Sequence, residues 1–342
     1  MLAEIGEQPH WVERALASER ENVRALVTAM RERAIRFVII AARGTSDNAA
    51  TYAKYLLEIV AGIPVALAAP SVYTLYDARL ALNGTLVLGI SQSGQGTDVV
   101  EVLSVARSAG ALTACITNNP SSPITRVSDH VLLCHAGEER AVAATKTYTT
   151  ALAVAALMAA MLVDRRDLLS AIGHVPRLME QTLRLRNTVE QCVQRYRYMD
   201  ECAVLARGIN QATALEAALK LTETSYVVAK PYSGADFLHG PIAMVSPGFP
   251  CFLYAPPGRA YAFMLELALK LRDRGAELVT VASDQEILKL ATVPIPVPVS
   301  VDELLSPLVY ILPGQLFAYH LARARGADPD TPRGLSKVTV TR

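Results

Sequence analysis

An internal repeat constrains this chain more than any other feature. The apolar run that ends in Ala42-Arg43-Gly44 returns as Ala203-Val204-Leu205-Ala206-Arg207-Gly208, with Arg43 falling on Arg207, 164 positions later. At that spacing Ala50 matches Ala214, Ala53 matches Ala217 and Leu57 matches Leu221. A short apolar run reads as a buried strand, and the small and apolar residues after the glycine read as a helix packed on it. One βα unit occurring twice at a domain-sized separation predicts two homologous domains rather than one large one. The 342 residues agree, at roughly 150 residues per domain.

The pattern between the repeats fits the same architecture. Residues 8–34 carry Trp11, Val12, Leu16, Val23, Leu26, Val27 and Met30 at helical spacing, which predicts one or two amphipathic helices. Strands are expected at Phe37–Ala42, Ile63–Leu67, Leu86–Ile90, Leu112–Thr117 and Val131–Cys134. Helices are expected after Asn48 to about Val60 and over 97–108. Ala143-Ala144-Thr145-Lys146-Thr147 opens a long apolar helix, and the charged, helical stretch 164–196 reads as a connector. The second half repeats the alternation, with strands near 227–230, 250–255, 277–282 and 295–299 and helices near 211–224, 259–274 and 305–324. Strands alternating with helices give an α/β fold: mostly parallel sheets with helices on both faces, a three-layer αβα sandwich in each half.

Within the first half, Leu86–Ile90 empties into Ser91-Gln92-Ser93-Gly94-Gln95-Gly96 and then the helix at Thr97. A Ser/Gly loop at a helix start offers backbone N–H groups and the positive end of a helix dipole, which suits an anion. Arg43-Gly44-Thr45-Ser46-Asp47-Asn48 is a second such loop. Both would leave the carboxyl ends of parallel strands, where ligands of such sheets bind. The loop holds no lysine and no Gly-x-x-x-x-Gly-Lys-Ser/Thr is present, so a nucleotide P-loop is excluded. Gly89-Ile90-Ser91-Gln92-Ser93 misses the hydrolase elbow Gly-x-Ser-x-Gly by one residue, and no Asp/His pair completes a triad. A small phosphorylated ligand and an ordinary strand-to-helix turn are the two readings of this stretch.

Composition excludes several classes. A net charge of +1 gives no basic face for nucleic acid or membrane. The longest uncharged run, Thr147 to Val163, is just short of a membrane span and reads as a buried helix. The acidic Met1–Glu7 start carries no signal-peptide pattern. The five cysteines are scattered and form no Cys-x-x-Cys pair, so neither a disulfide framework nor a zinc site is expected. His130 and His135, five apart on one expected strand, would face opposite ways. No metal and no cofactor is predicted, and the expected compartment is cytoplasmic.

Chemistry-bearing residues collect in the second half. Glu216, Lys220 and Glu223 share one face of the 211–224 helix, at i,i+4 and i,i+3. They form either a solvated ion-pair ladder or, since the helix is otherwise apolar, a carboxylate held near a lysine as a general base. His239 precedes a Gly-Pro turn after the polar loop Tyr232–Asp236. A lone histidine is more often structural, and Lys337 lies in a polar, helix-poor tail whose default is disorder.

Taken together these motifs carry a resemblance. Arg43-Gly44-Thr45-Ser46, Ser91-Gln92-Ser93-Gly94, Ala144-Thr145-Lys146-Thr147, Leu215–Leu221, His239-Gly240-Pro241 and Leu335-Ser336-Lys337-Val338-Thr339-Val340 resemble the sugar isomerase (SIS) family. More narrowly, the chain is similar to the tandem-SIS half of glutamine–fructose-6-phosphate aminotransferase and to its deaminase relatives, along nearly its whole length. Glu4-Ile5-Gly6-Glu7-Gln8-Pro9 matches as well.

The resemblance implies binding of a sugar 6-phosphate by Ser91, Gln92 and Ser93 with Thr45, Ser46 and Thr97. It implies Glu223 as the base moving a proton between C1 and C2, and His239 as the ring-opening group, reaching in from the partner of a homodimer. Lys337 would meet the open-chain sugar, and Val142, Glu216 and Lys220 would line the substrate site. The implied layout is an N-terminal helical segment (1–34), SIS domain 1 (35–165), a connector (166–196), SIS domain 2 (197–325) and a tail (326–342). Aldose–ketose isomerisation needs these parts: one base, a ring-opening acid/base and an anchored phosphate that positions C1 and C2.

The departures point to a subtype. The aminotransferase loop continues Ser-Gln-Ser-Gly-Glu-Thr, whereas here Gln95-Gly96-Thr97-Asp98 follows, leaving Thr97 to substitute for the phosphate-binding threonine. Ala144 replaces a serine. No glutaminase portion or N-terminal cysteine is present in the sequence, so release of ammonia from glutamine is not expected. Ala68-Ala69-Pro70-Ser71-Val72 and Pro332–Lys337 are more similar to the glucosamine-6-phosphate deaminases of the family. The expected reaction converts glucosamine 6-phosphate to fructose 6-phosphate and ammonia. A fructosamine-6-phosphate deglycase, an amino-sugar ketose isomerase and a non-catalytic sugar-phosphate sensor are the alternatives.

Overall fold

The structure is a computed structural model and describes residues 1–337. Positions 338–342, with the Val338-Thr339-Val340 end of the tail motif, lie outside the described residues. The chain divides into two compact units. The first takes in His10–Glu139, Lys146–His174 and the chain from Ser336; the second takes in Met1–Pro9, Arg140–Thr145 and Val175–Leu335.

The chain opens with helices α1 (Leu2–Ser18) and α2 (Arg20–Glu32). The first unit then runs β1 (Phe37–Ala41), α3 (Thr45–Leu56), β2 (Val65–Leu67), α4 (Ser71–Thr74), β3 (Thr85–Ile90), α5 (Thr97–Ser108), β4 (Leu112–Thr117), α6 (Pro123–Arg126), β5 (His130–Leu133) and α7 (Lys146–Leu162). Its five strands are all parallel, in the order β2-β1-β3-β4-β5. Alternate residues explain the layers. Ile39, Ala41, Val87 and Cys115 pack with Val99, Val102, Leu103 and Ala106 of α5 on one face. The intervening Val38, Ile40, Leu86 and Leu88 are buried too, so the opposite face is also covered. Strands buried on both sides read as near-continuous apolar runs, and these do, interrupted by the buried Thr85, Thr113 and Thr117.

Helix α8 (Arg166–Leu183) leads to the second unit: α9 (Arg186–Val193), β6 (Glu201–Ala206), α10 (Gln211–Ser225), β7 (Val228–Ser233), α11 (Gly234–Leu238), β8 (Pro250–Ala255), α12 (Tyr261–Asp273), β9 (Glu277–Ala282), α13 (Gln285–Leu288), β10 (Val293–Pro296) and α14 (Ser306–Ala324). The sheet order β10-β9-β8-β6-β7 is the order of the first sheet read from the other edge. Leu205, Cys251 and Leu253 pack on Met264, Leu267 and Leu271 of α12, while Phe252 points the other way and meets Phe317 of α14 edge-on, ring centroids 4.9 Å apart. The two sheets therefore share one topology, as the repeat predicts.

The apolar stretches are core helices. Residues 146–160 of α7 are buried throughout. Among the described residues α14, with the turn before it, is long and apolar enough to cross a membrane, but 89% of its apolar window is buried inside the fold.

Three local expectations need correction. Thr45 and Ser46 lie in the first turn of α3 rather than in a loop, because the chain turns at Gly44, whose φ is 55°. Strand β5 stops at Leu133, so His135 is not on it. His135 instead sits beyond the strand end, with a φ of 48°, and meets the buried carboxylate of Glu19 at 2.6 Å. Tyr232 and Ser233 end β7 and residues 234–238 form α11, so the segment before His239 is structured.

Candidate active site

In the first unit β1 pairs with both β2 and β3, and the chain reverses its direction of winding between β1 and β3. Ligands of open parallel sheets bind beyond the carboxyl ends of the strands at such a switch point. The two segments leaving it are Arg43–Ser46 and Ser91–Gly96. Arg43 Nε donates to Asp98 Oδ2 at 2.7 Å, tying the first segment to the first turn of α5. Asp98 is 2% exposed. Burial raises the pKa of neighbouring Asp47, and the Arg43 charge opposes the shift.

The Ser91–Gly96 loop is fixed against β4. Ser91 N–H donates to Ile116 O at 3.0 Å, Asn118 N–H to Gln92 O at 3.0 Å and Ile124 N–H to Gly94 O at 3.1 Å. Gly94 has a φ of 64°, and a Cβ there would lie 2.1 Å from Ser122 Oγ, so only glycine fits. The loop delivers the chain to α5, whose N-cap is Gly96, and α3 likewise starts from a glycine, Gly44. Both N-cap residues are glycines without a capping side chain, and within the first turn of α5 Asp98 Oδ1 accepts from Val99 N–H at 2.9 Å. Ser91, Gln92, Ser93, Thr45 and Ser46 are half-buried beside these termini, and Thr97 is exposed. A cleft of about 250 Å³ opens next to Thr97, lined by Tyr73, Asp77, Asp98 and Glu101. Its acidic wall does not suit a phosphate.

Also in the first unit, Lys337 Nζ lies 3.1 Å from Glu139 Oε2. The Glu139 side chain is fully buried. It accepts from Thr147 N–H at 3.1 Å and from Thr147 Oγ at 2.7 Å. Lys337 is thus held by a buried carboxylate at the start of α7, not left in a solvated tail.

The second unit carries the carboxylate cluster. Lys220 and Glu216 are 0% exposed, and Lys220 Nζ stands 3.4 Å from Glu216 and 2.6 Å from Glu223. Burial rules out the solvated ladder. Glu223 is the half-exposed end of the group. The tail is tied to the end of the same helix: Arg333 N–H donates to Tyr226 Oη at 3.0 Å, and its guanidinium stacks on that ring at 4.2 Å. Val142, half-buried, donates its N–H to Asp330 O at 3.0 Å, and Asp330 also meets the Met1 ammonium. His239 is exposed at the end of α11 and makes no hydrogen bond or ion pair with Glu223 among the described residues.

The repeat does not duplicate the serine loop. Where the first unit has its serine loop, the second has residues 256–260 between β8 and α12. There the Glu303 carboxylate accepts from Arg259 N–H at 2.8 Å and Ala260 N–H at 3.2 Å. Arg207, the counterpart of Arg43, stacks on Phe263 at 4.7 Å. No cluster of His, Cys, Asp or Glu able to hold a metal occurs among the described residues.

The SIS domain signature matches residues 34–161 and again 200–325. The chain belongs to the SIS domain family. This SIS protein is 38% identical, over 99% of its length, to a glutamine–fructose-6-phosphate aminotransferase (isomerizing) of Thermus thermophilus, and spans 58% of that relative. The chain thus spans less than two thirds of the curated relatives it matches. Among solved structures, a candidate phosphosugar isomerase from Silicibacter pomeroyi has a TM-score of 0.87 at 35% identity, covering 96% of this chain and 99% of that one. The C-terminal domain of glucosamine-fructose-6-phosphate aminotransferase from Francisella tularensis has a TM-score of 0.87 at 28% identity, covering 97% of each. The shared sheet topology accounts for Thr45 and Ser46 following β1 and Ser91–Ser93 following β3, at the carboxyl ends of neighbouring parallel strands. Glu139 had no distinguishing signal in the sequence, because its partner Lys337 is remote in the chain.

Proposed function

We propose that this chain is a sugar-phosphate isomerase that deaminates glucosamine 6-phosphate to fructose 6-phosphate and ammonia. The observation that carries the reading is the Glu216–Lys220–Glu223 group, a buried lysine holding a half-exposed carboxylate on an otherwise apolar helix. A carboxylate fixed in this way can take a proton from carbon and return it without reorganising.

In this reading Ser91, Gln92, Ser93, Thr45 and Ser46 anchor the phosphate at the start of α3 and α5, with Thr97 at its rim. The anchor is remote from the reacting carbons, so its binding free energy positions C1 and C2. His239 passes the ring proton that opens the sugar. Glu223 takes the proton from C2 and gives it to C1, leaving an imine at C2 that water hydrolyses to the ketone and ammonia. Lys337 meets the open-chain sugar at C2. Val142, Glu216 and Lys220 shape the site. The protein acts as a homodimer, with His239 serving the partner's site. Similarity to aminotransferases and phosphosugar isomerases supports the isomerase part, and the Gln95-Gly96-Thr97 departure from the aminotransferase loop supports a different amine chemistry.

A panel of hexosamine and hexose 6-phosphates tests the reading, with ammonia and fructose 6-phosphate both measured. Stoichiometric release of the two from glucosamine 6-phosphate is expected. Turnover of a fructosamine 6-phosphate alone would reassign the substrate, and tight binding without turnover of any sugar would make the chain a sensor.

A further inference from the structure

Glu139 is a fully buried carboxylate for which isomerisation by Glu223 has no use. A buried carboxylate is costly unless it is paired and hydrogen-bonded. Here the α7 start supplies two donors from Thr147, N–H at 3.1 Å and Oγ at 2.7 Å, and Lys337 supplies a cation at 3.1 Å. The two Thr147 bonds fix where the carboxylate points. Its Oε2 is shared between Thr147 Oγ and Lys337 Nζ, the second at hydrogen-bond distance. An ammonium cannot attack a carbonyl carbon; it must first lose a proton, and the acceptor must be within hydrogen-bond reach.

We propose that Glu139 carries the proton that Lys337 must shed and regain when it forms an imine with the open-chain sugar. This rests on the reading of Lys337 given above. Nζ passes one proton to Oε2 and attacks the C2 carbonyl. The N–C bond forms, the carbonyl electron pair moves to oxygen, and a proton passes from nitrogen to that oxygen to give the carbinolamine. The nitrogen lone pair then expels the hydroxyl group, which leaves as water with the proton from Glu139. The iminium and an ionised Glu139 remain, with one water formed and no net proton gained or lost. Thr147 positions the carboxylate throughout.

The test is borohydride trapping of fructose 6-phosphate on the full-length protein, with the adduct located by peptide mass spectrometry. The native protein is expected to give a reduced adduct on Lys337. Glu139→Gln keeps the shape and an acceptor for Thr147 but cannot take a proton, and should trap at least tenfold more slowly. General acid–base groups typically contribute about 10²–10⁴-fold. Glu139→Asp, which keeps the buried charge and so protects folding, should fall between the two. Sorbitol 6-phosphate, which has the phosphate but no carbonyl, should bind all three proteins within about twofold, an equality that a merely structural role for Glu139 would not give. Native-like trapping in Glu139→Gln, or a parallel loss of sorbitol 6-phosphate binding, would overturn the role of Glu139. No adduct in the native protein would remove the imine itself and this role with it, while leaving proton transfer by Glu223 to be judged separately.

Discussion

Lys220 Nζ lies 2.6 Å from Glu223 and 3.4 Å from Glu216, with its own side chain wholly buried. One ammonium therefore serves two carboxylates of unequal exposure. Glu216 is sealed in the second unit with Lys220, and Glu223 is partly open to solvent. Replacing Lys220 by Met removes the buried ammonium that faces both carboxylates. A cost of about 3–5 kcal/mol is expected, because breaking a buried pair is worse than removing it. Thermal melts of Lys220→Met and of Lys220→Met/Glu216→Leu check this; the double variant should recover part of the lost stability.

The serine loop is expected to be intolerant at one point. Gly94→Ala sets a methyl 2.1 Å from Ser122 Oγ at a φ of 64°. Left-handed strain and overpacking together should cost about 1–3 kcal/mol and displace Ser91–Ser93. Calorimetric titration with inorganic phosphate should show weakened binding in Gly94→Ala. Native affinity would remove the loop from the anchor role.

How much of this was legible in the sequence follows from how local each signal is. Strand β4 and helix α5 could be read to the residue, and β3 to within one residue at its start, because an apolar run broken by polar residues and Gly marks its own ends. The i,i+4 and i,i+3 spacing put Glu216, Lys220 and Glu223 on one face, but only packing against the core shows that face to be buried. His135 misled because strand alternation was extended past Leu133, where the backbone turns to a φ of 48°. Glu139 had no local mark at all. Its partners Thr147 and Lys337 lie 8 and 198 positions away. Glu303 is similar: it occupies N–H groups of the 256–260 segment, which corresponds to the serine loop and lies 43 and 44 positions earlier.

Stability should fall in mild acid. Burial holds the imidazoles of His130 and His320 below their ordinary pKa of 6.5, with Asp129 and Glu190 respectively opposing the shift. The folded protein then binds fewer protons than the unfolded chain below that value. The contribution is fully present above 6.5 and is lost as pH falls through it. Melting curves from about pH 7.5 to about pH 5.5 should show a declining Tm, at about 2–4 °C per kcal/mol. The decline should be shallower in a His130→Gln/His320→Gln variant.

The thiols should be nearly silent. Burial pushes Cys115 up to about 11 and Cys134 and Cys251 up to about 12, and raises Cys202 further still. Cys192, raised by burial as well, is the one half-exposed thiol of the five. A thiolate is the reactive form, so labelling of the native protein should be slow and confined to Cys192. Labelling of the other four should wait for denaturant.

The central claim is that Glu223 moves a proton on the sugar carbons. Fructose 6-phosphate incubated with the protein in D₂O and followed by NMR at C1 tests it most directly. The native protein should exchange a C1 hydrogen for deuterium. Glu223→Gln should lose about 10²–10⁴-fold of that rate while still binding the sugar phosphate. Exchange at the native rate in Glu223→Gln would contradict the account.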